Sequence, residues 1–202
     1  MNYLGHAVFS GKNDAEMLGN LAGDFLKNQY HHLLDKEVLQ GVKLHRQIDV
    51  ITDDNPYFKE MVVPLRASFG KYSGVVLDVL LDHVIASEWG QLFEVKFDAF
   101  TGSVYSGVLS ECDRLPNWQS EIIERMARSS WLDAYRSEEG LRRVFHRLSQ
   151  KASRNLDGGE VLELYKRERD TYRENLPRFL DYNQKKILKT RLLISPRIEW
   201  KN

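Results

Sequence analysis

Gly41-Val42-Lys43-Leu44-His45-Arg46-Gln47-Ile48-Asp49-Val50-Ile51-Thr52-Asp53 sets a histidine, an arginine and two carboxylates into a segment with the apolar spacing of a half-buried helix. The 3.6-residue period puts His45 and Asp49 on one face, with Val42 one turn earlier and Asp53 one turn later. Core packing does not call for that mixture, so the face carries potential metal ligands. Arg46, one residue round from His45, can flank the same site and grip a phosphate or carboxylate bidentately. A surface pair at i,i+4 beside a solvated arginine would give the same spacing.

Upstream of this stretch, Asn13 with Glu16 three residues on has the form of a capping box. The spacing predicts a helix from there to about Asn28. Its apolar stripe is Met17, Leu18, Leu21, Ala22, Phe25 and Leu26, with Asn20 and Asp24 as an i,i+4 polar pair beside it. His6 stands ahead of this helix in a short apolar segment expected to tuck into the core. His31 and His32 read as solvated loop residues, after which the helix carrying the opening stretch starts near Asp35. Asn55-Pro56 is a stop and restart. The helix that follows, Tyr57 to about Ser68, should be kinked or shortened by Pro64.

Downstream, Ser73-Gly74-Val75-Val76-Leu77-Asp78-Val79-Leu80-Leu81-Asp82-His83-Val84-Ile85-Ala86 is apolar almost all round, which marks a central helix. Asp78 and Asp82 share a face, and two carboxylates in apolar surroundings need a metal, a cationic partner or a proton. Ligation, with His83 adjacent, and a structural network with Arg46 or Arg66 both meet that need. Further helices are predicted at Phe97 to about Leu109, Asn117 to about Ser129, Ser137 to about Ser153, and Gly159 towards Lys189 with a kink at Pro177. A basic tail follows, with Lys185, Lys186, Lys189, Arg191 and Arg197. Trp131 reads as a core aromatic, and Arg142 to Arg147 as a basic helix face.

Strand signals are almost absent. The expected fold is an all-α, single-domain bundle over residues 1–202, with about seven to nine helices. The chain has 202 residues, 42% of them hydrophobic, enough for one sizeable core. Lys+Arg and Asp+Glu both total 29, which excludes a nucleic-acid binder of the strongly basic kind. Cys112 is the only cysteine, so an intrachain disulfide and a cysteine-rich zinc site are excluded. With no signal sequence or apolar span in view, the expected location is the cytoplasm. In helical bundles metal sites are built from facing helices, and Asp24, His45, Asp49, Asp78, Asp82 and His83 are the available donors. Mixed nitrogen and oxygen ligands suit manganese, iron, magnesium or zinc.

Asn2-x-Leu4-x-His6, Gly19-Asn20-Leu21-x-x-Asp24-Phe25, Gly41-x-x-x-His45-Arg46-x-Ile48-Asp49-x-x-Thr52-Asp53 and Leu77-Asp78-x-x-x-Asp82-His83 with Trp89 together resemble the acyl carrier protein phosphodiesterase family. The likeness is carried by the first ninety or so residues. It implies a divergent, all-helical branch of the HD-type metal-dependent phosphohydrolases. Such an enzyme would use manganese to hydrolyse the diester joining 4'-phosphopantetheine to a serine of acyl carrier protein. The sequence has Asp82-His83 where an HD enzyme has His-Asp, so the usual ligand order does not transfer. The expected ligands are therefore His45 and Asp82 with one or more of Asp24, Asp49, Asp78 and His83. Arg46 would offset phosphoryl charge, and Asp24 or Asp78, where not ligating, would take the proton of water. His6 would support the site or protonate the leaving serine. The acidic carrier protein would dock on the basic residues near Arg142 to Arg147 or on the tail. A phosphohydrolase acting on a nucleotide or small phosphoester, and a non-catalytic helical binding module, are the competing readings.

Overall fold

Side-chain caps fix three helix starts in the first part of the chain. Asn13 accepts from the Glu16 N–H and Asn55 from that of Tyr57, as expected from the sequence, and Asp35, near the expected helix start, accepts from those of Glu37 and Val38. The computed structural model describes residues 1–150, 152, 156–190 and 196–201, so Ser153 and Arg191 lie outside the described residues. The helices are α1 (Tyr3–Val8), α2 (Asp14–Leu21), α3 (Lys36–Asp54), α4 (Pro56–Met61), α5 (Arg66–Phe69), α6 (Ser73–Ser87), α7 (Trp89–Leu92), α8 (Phe97–Glu111), α9 (Asn117–Arg128), α10 (Glu138–Ser149), α11 (Gly158–Arg167) and α12 (Arg169–Lys189). The fold is all-α. Twelve α-helices occur among the described residues, against the seven to nine expected, because α1, α4, α5 and α7 are short pieces that the period does not reveal.

Three local departures have physical causes. His6 lies inside α1, because Asn2 and Asp82 side chains accept from the first N–H groups of that six-residue helix and hold it closed. Helix α2 ends at Leu21, well short of Asn28, because the chain turns at Ala22–Leu26 to pass over the His45 imidazole. There Gly23 lies flat against the ring, and a Cβ in its place would overlap it. Finally, the C-terminal helical stretch breaks at Glu168, while α12 runs through Pro177 with Leu176, Phe179 and Leu180 buried on either side.

Helix α6 forms the axis of the molecule. Val76, Leu77, Leu80, Leu81, Val84 and Ile85 are fully buried, and α1, α10, α11, α12 and the 3-10 segment Trp131–Arg136 pack around them. Each such side chain contributes roughly 1.5–3 kcal/mol when removed from water. Beside this axis α2 crosses α3 at backbone distance. A Cβ on Gly19 would overlap the Val38 carbonyl and one on Gly41 the Glu16 carbonyl, so only glycine permits the crossing. That approach brings Asn20 and the Ala22–Leu26 turn over His45.

Buried amides complete the frame. Asn55 donates to the Phe179 carbonyl and to Asn183 Oδ1, and Asn183 donates to Thr52 Oγ1, tying α3 and α4 to α12. At the far end Arg197 donates to the carbonyls of Gly11 and Lys12 and pairs with Asp14. No helix among the described residues is long and apolar enough to cross a membrane.

Candidate metal centre

Among the described residues, His6 of α1 and His45 and Asp49 of α3 bring potential ligand atoms within 4.8 Å of one another. The two imidazoles stack with ring centres 4.1 Å apart, and both are buried. His6 Nε2 lies 3.2 Å from Asp49 Oδ1, and His45 Nε2 lies 3.3 Å from Asp49 Oδ2 and 3.4 Å from Asp24 Oδ1. Asp24 follows α2 in the turn that passes over His45, and its side chain is 73% exposed.

Asn20 decides what those nitrogens can do. Its Nδ2 donates to the His6 carbonyl and to Ser10 Oγ, which leaves Oδ1 to accept from His6 Nδ1 at 3.0 Å. The Asn20 backbone carbonyl accepts from His45 Nδ1 at 2.8 Å. Both imidazoles therefore carry their proton on Nδ1 and turn a lone pair on Nε2 towards Asp24 and Asp49, which are themselves acceptors. His6 Nε2 is buried without a hydrogen bond, although Asp49 lies near. Four acceptors facing one another call for a proton or a cation, and imidazoles held by a hydrogen bond on the opposite nitrogen are the usual form of metal-ligating histidine. Donor atoms about 2.0–2.2 Å from a common ion stand about 3.0–3.5 Å apart, so the observed separations suit a divalent cation.

The electrostatics point the same way. A proton on the facing His45 Nε2 would hold the Asp24 carboxyl below the usual carboxylate range, and with the ring proton on Nδ1 a cation takes that place. Burial pushes Asp49 up, and it is lowered overall only where His6 donates to it and positive charge lies near, the place a cation fills when both rings are neutral. Burial lowers His6 and so favours its neutral, ligating form.

The other expected residues lie around this cluster or apart from it. Both Asp82 oxygens are engaged by α1, accepting from the Leu4 N–H at 2.7 Å and the Gly5 N–H at 3.0 Å, and burial raises this carboxyl to about 7. Asp78 pairs with the Met1 ammonium at 2.8 Å, and that ammonium is also 3.9 Å from Asp49. The two acids of α6 are thus satisfied by the N-terminal segment, and Arg46 and Arg66 take no part in the pairing. His83 turns the other way, with Nδ1 on the Tyr135 carbonyl at 2.7 Å and its ring edge-on to Tyr165. Arg46 donates to His31 Nε2 and reaches the Leu26 carbonyl. Sequence reasoning missed the orienting role of Asn20, the Met1 ammonium and the contact at Gly23. The glycine was visible as a small residue one position before Asp24.

Asp24 also borders a cleft of 730 Å³ whose walls include Tyr3, Phe25, Trp131, Arg125 and Arg147. Asp24 thus belongs both to the cleft wall and to the cluster, lying 3.4 Å from His45 Nε2. Over residues 1–182 the sequence matches the family model described as acyl carrier protein phosphodiesterase. The chain belongs to the acyl carrier protein phosphodiesterase family. It is 28% identical over 155 residues to the acyl carrier protein phosphodiesterase of Enterobacter sp. (strain 638), covering 76% of this chain and 80% of that protein. The protein of the same name from Yersinia pestis is 30% identical over 136 residues, 67% of this chain and 70% of its own. That from Pectobacterium atrosepticum is 28% identical over 150 residues, 74% and 78% respectively. No solved structure matches. In this member of the acyl carrier protein phosphodiesterase family, all three donors of the cluster and Asp24 fall within the matched residues.

Proposed function

We propose that the chain is a metal-dependent phosphodiesterase that releases 4'-phosphopantetheine from the serine of holo acyl carrier protein. The observation that carries this reading is the convergence of His6 Nε2, His45 Nε2, Asp49 and Asp24, all acceptors, beside a cleft large enough for a flexible arm. His6, His45 and Asp49 would hold the cation, with manganese the choice that suits mixed imidazole and carboxylate donors and with magnesium, iron and zinc as competitors. When bound, such an ion supplies Lewis acidity at the phosphoryl group and to a nearby water. Asp24, exposed and kept ionised, accepts the proton of the attacking water. Water oxygen joins phosphorus as the bond to the serine oxygen breaks, and the proton taken up by Asp24 passes to the departing serine oxygen, giving apo carrier protein and 4'-phosphopantetheine. Asn20 keeps both imidazoles in the ligating tautomer. His6 thereby serves the ion and not the leaving serine, and Asp82 and His83 hold α1 and the Tyr135 turn. The enzyme works in the cytoplasm as one domain.

The test is incubation of holo acyl carrier protein with the chain and Mn²⁺, followed by intact mass. Loss of the phosphopantetheine mass, abolished by His45→Ala at unchanged helicity, is the expected result. Cleavage of nucleotides with the carrier left intact would point to a small-phosphoester hydrolase. Absence of divalent-ion binding at micromolar levels would point to a non-catalytic module.

A further inference from the structure

We propose that Arg147, with Arg125 in the same cleft, grips the phosphate of the substrate diester and supplies the positive charge that the metal centre lacks. The inference rests on the phosphodiesterase reading and adds to it the residue that recognises the phosphate. Several arginines elsewhere are held by carboxylates, as Arg114, Arg136, Arg143, Arg173 and Arg197 are, and Arg142 and Arg178, which make no ion pair among the described residues, line clefts that Asp24 does not border. Arg125 and Arg147 make no ion pair among the described residues, and both line the cleft that Asp24 borders. The Arg147 guanidinium lies 5.2 Å over the Trp131 ring, and Tyr3 meets the same ring edge-on at 5.9 Å. Stacking fixes the plane of the guanidinium and leaves its N–H fork for an anion. Tyr3 lines the same cleft as Asp24 and Arg147.

Charge balance gives the reason for such a residue. A divalent ion among neutral His6 and His45 is cancelled by Asp24 and Asp49, and Asp78 is cancelled by the Met1 ammonium. A diester monoanion then meets a ligand set with no net positive charge of its own. Arg46, the arginine closest in sequence to the ligands, is engaged by His31. Arg147 is exposed, so its replacement leaves the core intact.

Titration of 4'-phosphopantetheine and of inorganic phosphate into the Mn²⁺-loaded chain, followed by calorimetry and by tryptophan fluorescence, tests the assignment. Arg147→Ala should weaken both ligands by about tenfold or more, the usual cost of a charge-assisted hydrogen bond. Arg147→Lys should fall between, since it keeps the charge and loses the fork. Trp131→Phe should remove the fluorescence response while phosphate still binds. Unchanged dissociation constants in Arg147→Ala, with a raised KM for the carrier protein, would overturn the assignment and make Arg147 a contact for acidic carrier side chains. A wild-type chain that binds 4'-phosphopantetheine through Arg147 but leaves holo carrier intact would overturn the proposed reaction and keep this assignment.

Discussion

Replacing Asn20 by leucine keeps the shape of the side chain and removes every hydrogen bond it makes. In the folded protein the His6 carbonyl retains Ser10 Oγ, and the His45 contact persists because it uses the backbone of residue 20. His6 Nδ1 is left buried and unpaired, which costs about 1–3 kcal/mol, and the two lost amide bonds at about 0.5–1.5 kcal/mol each bring the total to about 2–6 kcal/mol. The metal effect is separate. Without an acceptor at Nδ1 the His6 ring can move its proton to Nε2, and losing such an orienting partner typically weakens metal binding about 10- to 100-fold. Urea unfolding with and without Mn²⁺ resolves the two. At a metal concentration 100 times the wild-type dissociation constant, wild type should gain about 2.7 kcal/mol, and a variant weakened 100-fold only about 0.4 kcal/mol. Equal metal-induced gains in both proteins, whatever the loss in the metal-free state, would refute the role given to Asn20.

Three other substitutions probe neighbouring features. Gly23→Ala, which drives a methyl group into the His45 ring, should abolish tight metal binding while the far-ultraviolet circular dichroism stays that of a helical protein. Asp82 has a folded-state pKa of about 7 against an unfolded value near 3.8, so its contribution to stability is complete below the lower value and is lost as pH rises through the upper one. Asp82→Asn should therefore lose less stability than wild type between about pH 4 and 7 in chemical denaturation, and parallel pH curves would contradict the assignment. His83→Phe should cost about 1–3 kcal/mol through the orphaned Tyr135 carbonyl and leave metal stoichiometry unchanged by elemental analysis.

Local chemistry made the long helices and their caps legible, since Asn13, Asp35 and Asn55 act within four residues of themselves. The end of α2 was not legible in that way, because it answers to the ring of a histidine on another helix. Within the candidate site, the His45–Asp49 pair followed from helical period alone. Asp82 and His83 stand next to each other in sequence, but neighbours on a helix point about 100° apart. One therefore reaches α1 and the other Tyr135. That His6 offers Nε2 depends on Asn20, fourteen residues away, and no periodicity encodes a tautomer. Arg147 and Trp131 read as a basic face and a core ring because a cleft wall resembles both until its other side is known.

A six-residue helix has no stability of its own in water. Helix α1 exists because a carboxylate 77 residues further along, Asp82, closes its first turn, and His6 is carried on that turn. The chain consequently has no complete chelator until α6 has docked, so a folding intermediate built from the first helices alone should not sequester the ion. Metal capture then reports that distant parts of the sequence have met, and in a refolding experiment it should lag behind the gain of helix.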